Sequence, residues 1–349
     1  MKLLHLYHKT YNTGDGITNV VYNLSSHQNQ LSGVQSTSLA FSSDDKLKQK
    51  MEFGITSTYK LLLAIKNHSP DYIYIHGIFR IKIPLLITML KLMKFKVILV
   101  PHCSLMKKTI HHKSTKKTLY LSVFSKLSFQ HVDFIQYLNN EENNDSISIS
   151  KKINTYILPN GVNENHSIIE KKFTEIKPFY LGRCDIHHKG LDFLILSLNN
   201  FYNEKKHNIK FQIYGADKKQ LAELIKLTPN TNILINPPIF EKEKEKALEE
   251  NNIFIMTSRY EGLPISVLEA LSYGNICLLT EGTNMATIVK SHNCGFIIKN
   301  TEDISCILNE IIKMPKQRLL EMSNNAKELV AKNYNWHTIA STSIKKITN

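Results

Sequence analysis

The chain has 349 residues, 42% of them hydrophobic and 21% charged, with a net charge of +14. That length fits two domains better than one, and without long Ser/Pro/Gly or Gln/Asn tracts extended disorder is not expected. No repeat of about 20–50 residues recurs, which excludes a solenoid. The most apolar stretch, Ile83 to Met106, is broken by Pro84, Lys91, Lys94, Lys96 and Pro101. It falls short of the roughly 20 apolar residues that a membrane span needs.

The charge is uneven: residues 1–175 hold 22 Lys and Arg against 12 Asp and Glu, and residues 176–349 hold 22 against 18. A basic first half suits an anionic partner such as nucleic acid, a phosphate-bearing substrate or the inner face of a membrane. Lysine used as a general solubiliser gives the same composition. The five cysteines (Cys103, Cys184, Cys277, Cys294, Cys306) form no C-x-x-C pair or zinc-ligand spacing, so buried free thiols in a reducing cytosol are expected. The opening MKLLHLYHKTYNTGDG has too short an apolar run for a signal peptide.

In chain order the first predicted strands are Lys2–Tyr7, Ser36–Phe41, Tyr72–His76, Lys96–Pro101, Phe134–Leu138 and Thr155–Leu158. A second series follows at Phe179–Gly182, Lys210–Tyr214, Asn232–Asn236, Ile253–Thr257, Ile276–Thr280 and Phe296–Ile298. Amphipathic stretches such as Ile17–Gln30, Leu191–Lys206, Leu221–Leu227 and Ile304–Lys313 lie between them. Ile/Leu/Val-rich strands separated by helix-length segments indicate parallel sheets covered on both faces. The series breaks once, at Pro159-Asn160-Gly161 followed by the polar stretch Val162–Lys177, a turn signal and linker. The predicted architecture is therefore two doubly wound α/β domains in tandem. Ligands of such sheets bind beyond the carboxyl ends of the strands, so facing domains would put the active site in a central cleft.

Residues 253–274 read IFIMTSRYEGLPISVLEALSYG. A buried strand ends at Thr257, a loop with Gly262 and Leu263 follows, and Pro264 falls where a helix opens, a position that tolerates its missing N–H. The amides of Ile265, Ser266 and Val267 would form a helix N-terminus of the kind that binds phosphate. Glu269 would reach back toward the same ligand, where a carboxylate accepts from two adjacent sugar hydroxyls, and Glu261 would lie beside it. Two glutamates at this spacing are common; the strand, loop, proline and helix around them carry the signal. Here the sequence resembles glycosyltransferase family 4, whose hallmark is Glu-Gly-x-x-x-x-x-x-Glu-Ala.

A second constellation, Tyr180-Leu-Gly182-Arg183-Cys-Asp-Ile-His-His-Lys189-Gly190-Leu-Asp192, sets a basic pair around the loop after a strand. Arg supplies a planar fork and Lys a point charge, which together neutralise a diphosphate. A basic pair on a surface loop is the plain alternative, but the resemblance implies that Arg183 and Lys189 hold the diphosphate and support the departing nucleotide.

A third, Asn12-Thr-Gly14-Asp15-Gly16-Ile17, follows the first strand but lacks the full G-x-G-x-x-G pattern. The family's N-terminal glycine loop approaches donor and acceptor, and Gly14 and Gly16 allow a close backbone approach; Asp15 is then an acceptor-contact candidate. His76 and His102 end predicted strands, and the resemblance offers either as a contact to the transferred sugar, His102 the better candidate. The basic run MKKTIHHKSTKK from Met106 to Lys117, continuing into Leu119–Leu127, could rest on anionic lipid or be a solvated helix face.

The resemblance spans roughly residues 178–300 and is looser before them. It implies a GT-B fold: an acceptor-binding Rossmann-like domain (1–160), a linker (161–177), a nucleotide-sugar domain (178–330) and a final helix (331–349) crossing back. It further implies a retaining hexosyl- or N-acetylhexosaminyltransferase taking its sugar from a nucleotide diphosphate, UDP by preference. The acceptor would be a glycan or lipid-linked saccharide in capsule, O-antigen or exopolysaccharide synthesis, and the enzyme cytoplasmic or peripheral at the inner membrane face. No Asp-x-Asp pair occurs, the nearest being Asp44-Asp45, so neither metal nor cofactor is expected; basic residues and helix amides would neutralise the diphosphate. One rival on the same architecture is a nucleotide-sugar 2-epimerase. A non-catalytic nucleic-acid-binding protein is suggested only by charge and lacks any reading helix, RNP or zinc motif.

Overall fold

The computed structural model describes every residue except 9–15, 42–57, 112–113, 164–169, 205–207, 229 and 349. Chain contacts divide it into two compact units, Met1–Gly161 with Trp336–Asn349, and Val162–Asn335. Among the described residues all twelve predicted strands form, with ends displaced by no more than one residue.

The first unit holds β1 (Lys2–His8), β2 (Gln35–Phe41), β3 (Tyr72–His76), β4 (Lys96–Val100), β5 (Phe134–Tyr137) and β6 (Asn154–Ile157), in the order β2-β1-β3-β4-β5-β6. All neighbours are parallel. Such pairing needs crossover helices and buries both faces, which explains why Ile73, Ile75, Val97 and Leu99 are wholly buried. Each fully buried aliphatic side chain contributes about 1.5–3 kcal/mol. The last helix, Trp336–Thr348, packs on the helix Gly16–Gln28: Gln28 Nε2 donates to Ser343 Oγ at 2.9 Å, and Tyr72 Oη donates to the Ile347 carbonyl at 2.8 Å. Trp336 seats on the Pro159-Asn160-Gly161 turn, where a side-chain Cβ at Gly161 would fall 2.6 Å from the indole.

The second unit holds β7 (Pro178–Leu181), β8 (Phe211–Tyr214), β9 (Ile233–Asn236), β10 (Ile253–Met256), β11 (Ile276–Thr280) and β12 (Gly295–Ile298), in the order β12-β11-β10-β7-β8-β9. This is the doubly wound order, with the chain reversing direction across the sheet between β7 and β10. Two expected boundaries move. The stretch 161–177 is not a free linker: Phe173 is buried, and the buried Lys171 ammonium donates to the carbonyls of Leu248, Glu249 and Asn251 at 2.6, 3.1 and 2.7 Å. These lie at or just beyond the C-terminus of the helix Glu241–Glu250, where a cation meets carbonyls left without helical partners. Residues 331–335 also belong to this unit, because the helix Lys316–Asn333 runs through the expected start of the final segment. Of the cysteines Cys184, Cys277 and Cys294 are buried, whereas Cys306 is exposed.

Candidate active site

Because β7 and β10 are neighbours whose crossovers leave in opposite directions, the loops at their carboxyl ends flank the crevice where doubly wound sheets bind ligands. One loop runs from Gly182 to Gly190 and opens the helix Leu191–Glu204; the other runs from Thr257 to Pro264 and opens the helix Ile265–Ser272.

The two loops are fastened together. The Arg259 amide donates to the His188 carbonyl at 3.0 Å, and its guanidinium grips Asp192 with both nitrogens, at 2.9 and 2.7 Å. His188 Nε2 donates to the Tyr260 carbonyl at 2.8 Å, and the two rings stack. Thr257 Oγ1 donates toward the carbonyls of Lys189 and Gly190 at 3.2 and 3.0 Å. Gly190 has φ +63°, and a Cβ there would fall 2.1 Å from the Thr257 carbonyl oxygen, so only glycine fits.

This fastening brings Lys189 Nζ to 2.6 Å from Glu261 Oε1, with both side chains buried. Burial pushes the Glu261 carboxyl up, but the ammonium of Lys189 and the neighbouring His188, 3.7 Å away, more than offset it, and the group lies below the usual carboxylate range. His188 is held below its ordinary value mainly by burial, against the opposing pull of Glu261. Asn284, at φ +58°, donates to the carbonyls of Glu261 and Gly262 at 2.6 and 3.3 Å and fixes the loop from behind. Gly182 and Arg183 follow β7 directly; Arg183 is exposed, and its guanidinium has no partner among the described residues. The basic pair read from the sequence is thus unequal: the Lys189 charge is already engaged, while that of Arg183 faces solvent.

The helix N-terminus differs in detail from expectation. Pro264 is the capping residue rather than the first helical one, and its carbonyl accepts from the Val267 amide at 3.1 Å. Only Ile265 and Ser266 therefore offer amides to a ligand, behind buried Gly262 and Leu263. Glu269 is partly buried and paired with Lys244 of the helix Glu241–Glu250 at 2.6 Å, a partner that no sequence pattern indicated.

In the first unit Gly14 and Asp15, like Asp44 and Asp45, lie outside the described residues, and Gly16 begins the helix Gly16–Gln28. His76 is corrected as a sugar contact: it is buried, with Nε2 3.0 Å from His5 Nδ1 and Nδ1 2.9 Å from His102 Nε2, so both ring nitrogens are engaged within the protein. His102, partly exposed after β4, remains the histidine of the strand-end rim. His102 and Cys103 both adopt left-handed backbone, at φ +50° and +59°, a conformation that costs non-glycine residues free energy and needs surrounding support. Glu142 supplies it: the buried carboxylate accepts from the backbone amides of Cys103 and Leu138. Burial raises the Glu142 pKa to about 7.

Sequence reading missed His188, Gly190, the Arg259–Asp192 clamp, Asn284 and Glu142. A faint signal existed for one further residue: His5 is a polar position within the apolar run of β1, and it proves wholly buried.

Two six-stranded parallel sheets, each with its own crossover helices, define the fold class as GT-B; the likeness spans nearly the whole of solved structures of that class. Sucrose-phosphate synthase from Thermosynechococcus elongatus superposes with a TM-score of 0.76 at 14% identity, covering 100% of this chain and 98% of that one. An Anabaena protein solved in complex with UDP-glucose superposes with a TM-score of 0.75 at 14% identity, covering 100% and 99%. Residues 161–329 match the family described as glycosyl transferases group 1. A curated relative is the Escherichia coli UDP-Gal:alpha-D-GlcNAc-diphosphoundecaprenol alpha-1,3-galactosyltransferase, 28% identical over 89 residues, covering 25% of this chain and 23% of that protein. The chain spans from about a quarter to about two thirds of the length of the curated relatives it matches.

Proposed function

We propose that the protein is a retaining, metal-independent glycosyltransferase that moves a sugar from a nucleoside diphosphate, UDP by preference, to a glycan or lipid-linked saccharide. The observation that carries this reading is the buried Lys189–Glu261 pair at the β7/β10 switch point, beside the exposed Arg183. An ammonium and a carboxylate fixed in a dry crevice are preorganised for a reaction in which a diphosphate gains negative charge while an anomeric carbon gains positive charge.

In this scheme Arg183 and the amides of Ile265 and Ser266 receive the diphosphate, with Lys189 beside them, and Glu269 accepts from the ribose hydroxyls. The bond from the anomeric carbon to the diphosphate oxygen breaks with its electron pair leaving on the nucleotide. The acceptor hydroxyl forms the new bond on the same face and gives its proton to the departing phosphate. Glu261 lies near the sugar as a positioning and charge-stabilising carboxylate, and His102 is the first unit's candidate for a sugar contact. Neutralisation by fixed cations and amides is the work a metal would otherwise do.

A polysaccharide role with a membrane-borne acceptor is supported by the Escherichia coli relative, a galactosyltransferase acting on alpha-D-GlcNAc-diphosphoundecaprenol. It is supported further by a patch on two neighbouring helices. Leu119, Val123 and Leu127 lie exposed on one face of the helix Ser114–Leu127, with Ile81, Leu85 and Leu92 on or beside Lys82–Leu92, among exposed Lys82, Lys107, Lys108, Lys116 and Lys126. Exposed leucines and lysines on the same helices suit an anionic lipid surface. Among the described residues no helix is long and apolar enough to cross a membrane.

The deciding experiment is a thermal-shift screen against UDP-, GDP- and ADP-sugars followed by product analysis with and without a saccharide acceptor. Stabilisation by one donor and sugar transfer that requires the acceptor are expected. No stabilisation at millimolar donor would overturn the donor site, and turnover of donor alone to an epimer would move the assignment to an epimerase.

A further inference from the structure

We infer that His5, His76 and His102 form a one-way hydrogen-bond wire, its polarity set by Gln28 and Ser343, that presents the bare Nδ1 of His102 as an acceptor for a sugar hydroxyl. The sugar-hydroxyl part rests on the transferase reading above; the polarity does not. The chain of contacts begins 315 residues apart in sequence, where Gln28 Nε2 meets Ser343 Oγ at 2.9 Å. Ser343 Oγ donates its one hydrogen to the Ala340 carbonyl at 2.6 Å and can only accept from Gln28. The Gln28 amide is therefore oriented with Oε1 toward Ser36 Oγ, which donates at 2.8 Å, and toward His5 Nε2 at 2.9 Å.

From that point each tautomer dictates the next. His5 must carry its proton on Nε2 to donate to Gln28, which leaves its Nδ1 as an acceptor. His76 then donates from Nε2 to His5 Nδ1 at 3.0 Å and accepts on Nδ1. His102 donates from Nε2 to His76 Nδ1 at 2.9 Å, which leaves His102 Nδ1 without a proton. That nitrogen has no hydrogen-bond partner among the described residues. A neutral imidazole has one donor and one acceptor, so the relay holds only while all three rings stay uncharged. Burial favours this, holding His5 and His102 at about 4 and His76 well below its ordinary value. Stacking of His5 on Tyr74, with ring centroids 4.4 Å apart, holds the first ring in place, and neighbouring imidazole planes lie within about 30° of one another along the wire.

A wire of this polarity selects groups that donate. A sugar hydroxyl gives its proton to Nδ1, whereas a carboxylate or a fluorine at the same place faces a lone pair. His5, His76, Gln28 and Ser343 are positioning residues, acting only through His102.

The test is a long-range proton–nitrogen correlation spectrum of histidine-labelled, unliganded protein in mildly alkaline buffer, with His102 assigned by the signals lost in His102→Gln. The expected spectrum shows His102 Nδ1 at the unprotonated nitrogen position and Nε2 at the protonated one. Ser343→Ala, which frees the Gln28 amide to turn, should move the Nδ1 signal part of the way toward the protonated position. It should also lower kcat/KM by about two- to tenfold, the scale of one net hydrogen bond. A wild-type His102 protonated on Nδ1, or a Ser343→Ala spectrum identical to wild type, overturns the wire. Should Ser343→Ala not fold, the wild-type tautomer decides alone. Because the spectrum is read without substrate, a wild-type protein that transfers no sugar counts against the transferase reading and leaves the wire standing.

Discussion

Lys189 and Glu261, 72 residues apart and at the ends of different strands, meet at 2.6 Å with each side chain only 10% exposed. Removing one member of a buried pair leaves the other as an uncompensated charge, which costs about 3–5 kcal/mol, whereas removing both together costs far less. Lys189→Met and Glu261→Gln should each lower stability on that scale in urea titrations, and the double variant should recover much of it. Turnover should be lost in all three. A double variant as unstable as the singles would show that the pair is not coupled.

Glu269 and Lys244 separate binding from structure. Their pair is partly exposed, so breaking it by Lys244→Ala should change stability by less than about 1 kcal/mol. Glu269→Ala should weaken nucleotide binding about tenfold or more, since hydrogen bonds to a charged group contribute roughly 1.5–3 kcal/mol. Calorimetric titration with UDP checks both. Equal, small effects of the two variants would reduce Glu269 to a partner of Lys244.

Gly190→Ala should destabilise the second unit severely, by several kcal/mol, because the new methyl meets the Thr257 carbonyl oxygen and the backbone must stay left-handed. Urea unfolding followed by circular dichroism measures it. Gly33, also left-handed at φ +74° but open to solvent, is the control: alanine there carries only the backbone cost.

The histidine wire has a pH signature. The unfolded chain protonates histidine below about 6.5, while the folded state resists until about 4 at His5 and His102, with His76 and His188 shifted in the same direction. The unfolded state thus binds more protons, and stability falls as pH drops from about 6.5 toward 4, by up to about 1.4 kcal/mol per pH unit for each such group. Glu142 opposes this between about 4.5 and 7, where its folded carboxyl holds a proton that the unfolded one has lost. Three histidines of one unit outweigh one carboxyl. The melting temperature should therefore fall between pH 6.5 and 4.5, and a flat profile would mean that the rings charge freely in the folded state.

Alternating Ile, Leu and Val runs separated by helix-length segments were enough to place the strands to within a residue, because parallel strands are buried on both faces and leave a continuous apolar record. The neighbourhood of Glu261 was likewise legible, since a strand, a glycine loop, a proline and a helix are local features. Partners were not. Nothing near Glu261 in the chain points to Lys189, nothing near Glu269 points to Lys244, and His76 reads as a rim residue until β1 and β4 place His5 and His102 on either side of it. Periodicity and turn chemistry are properties of neighbouring residues, so sequence carried the fold class and the site's address. Burial and pairing depend on which strands lie side by side, so only tertiary structure decided which charges are engaged and which nitrogen of His102 is left bare.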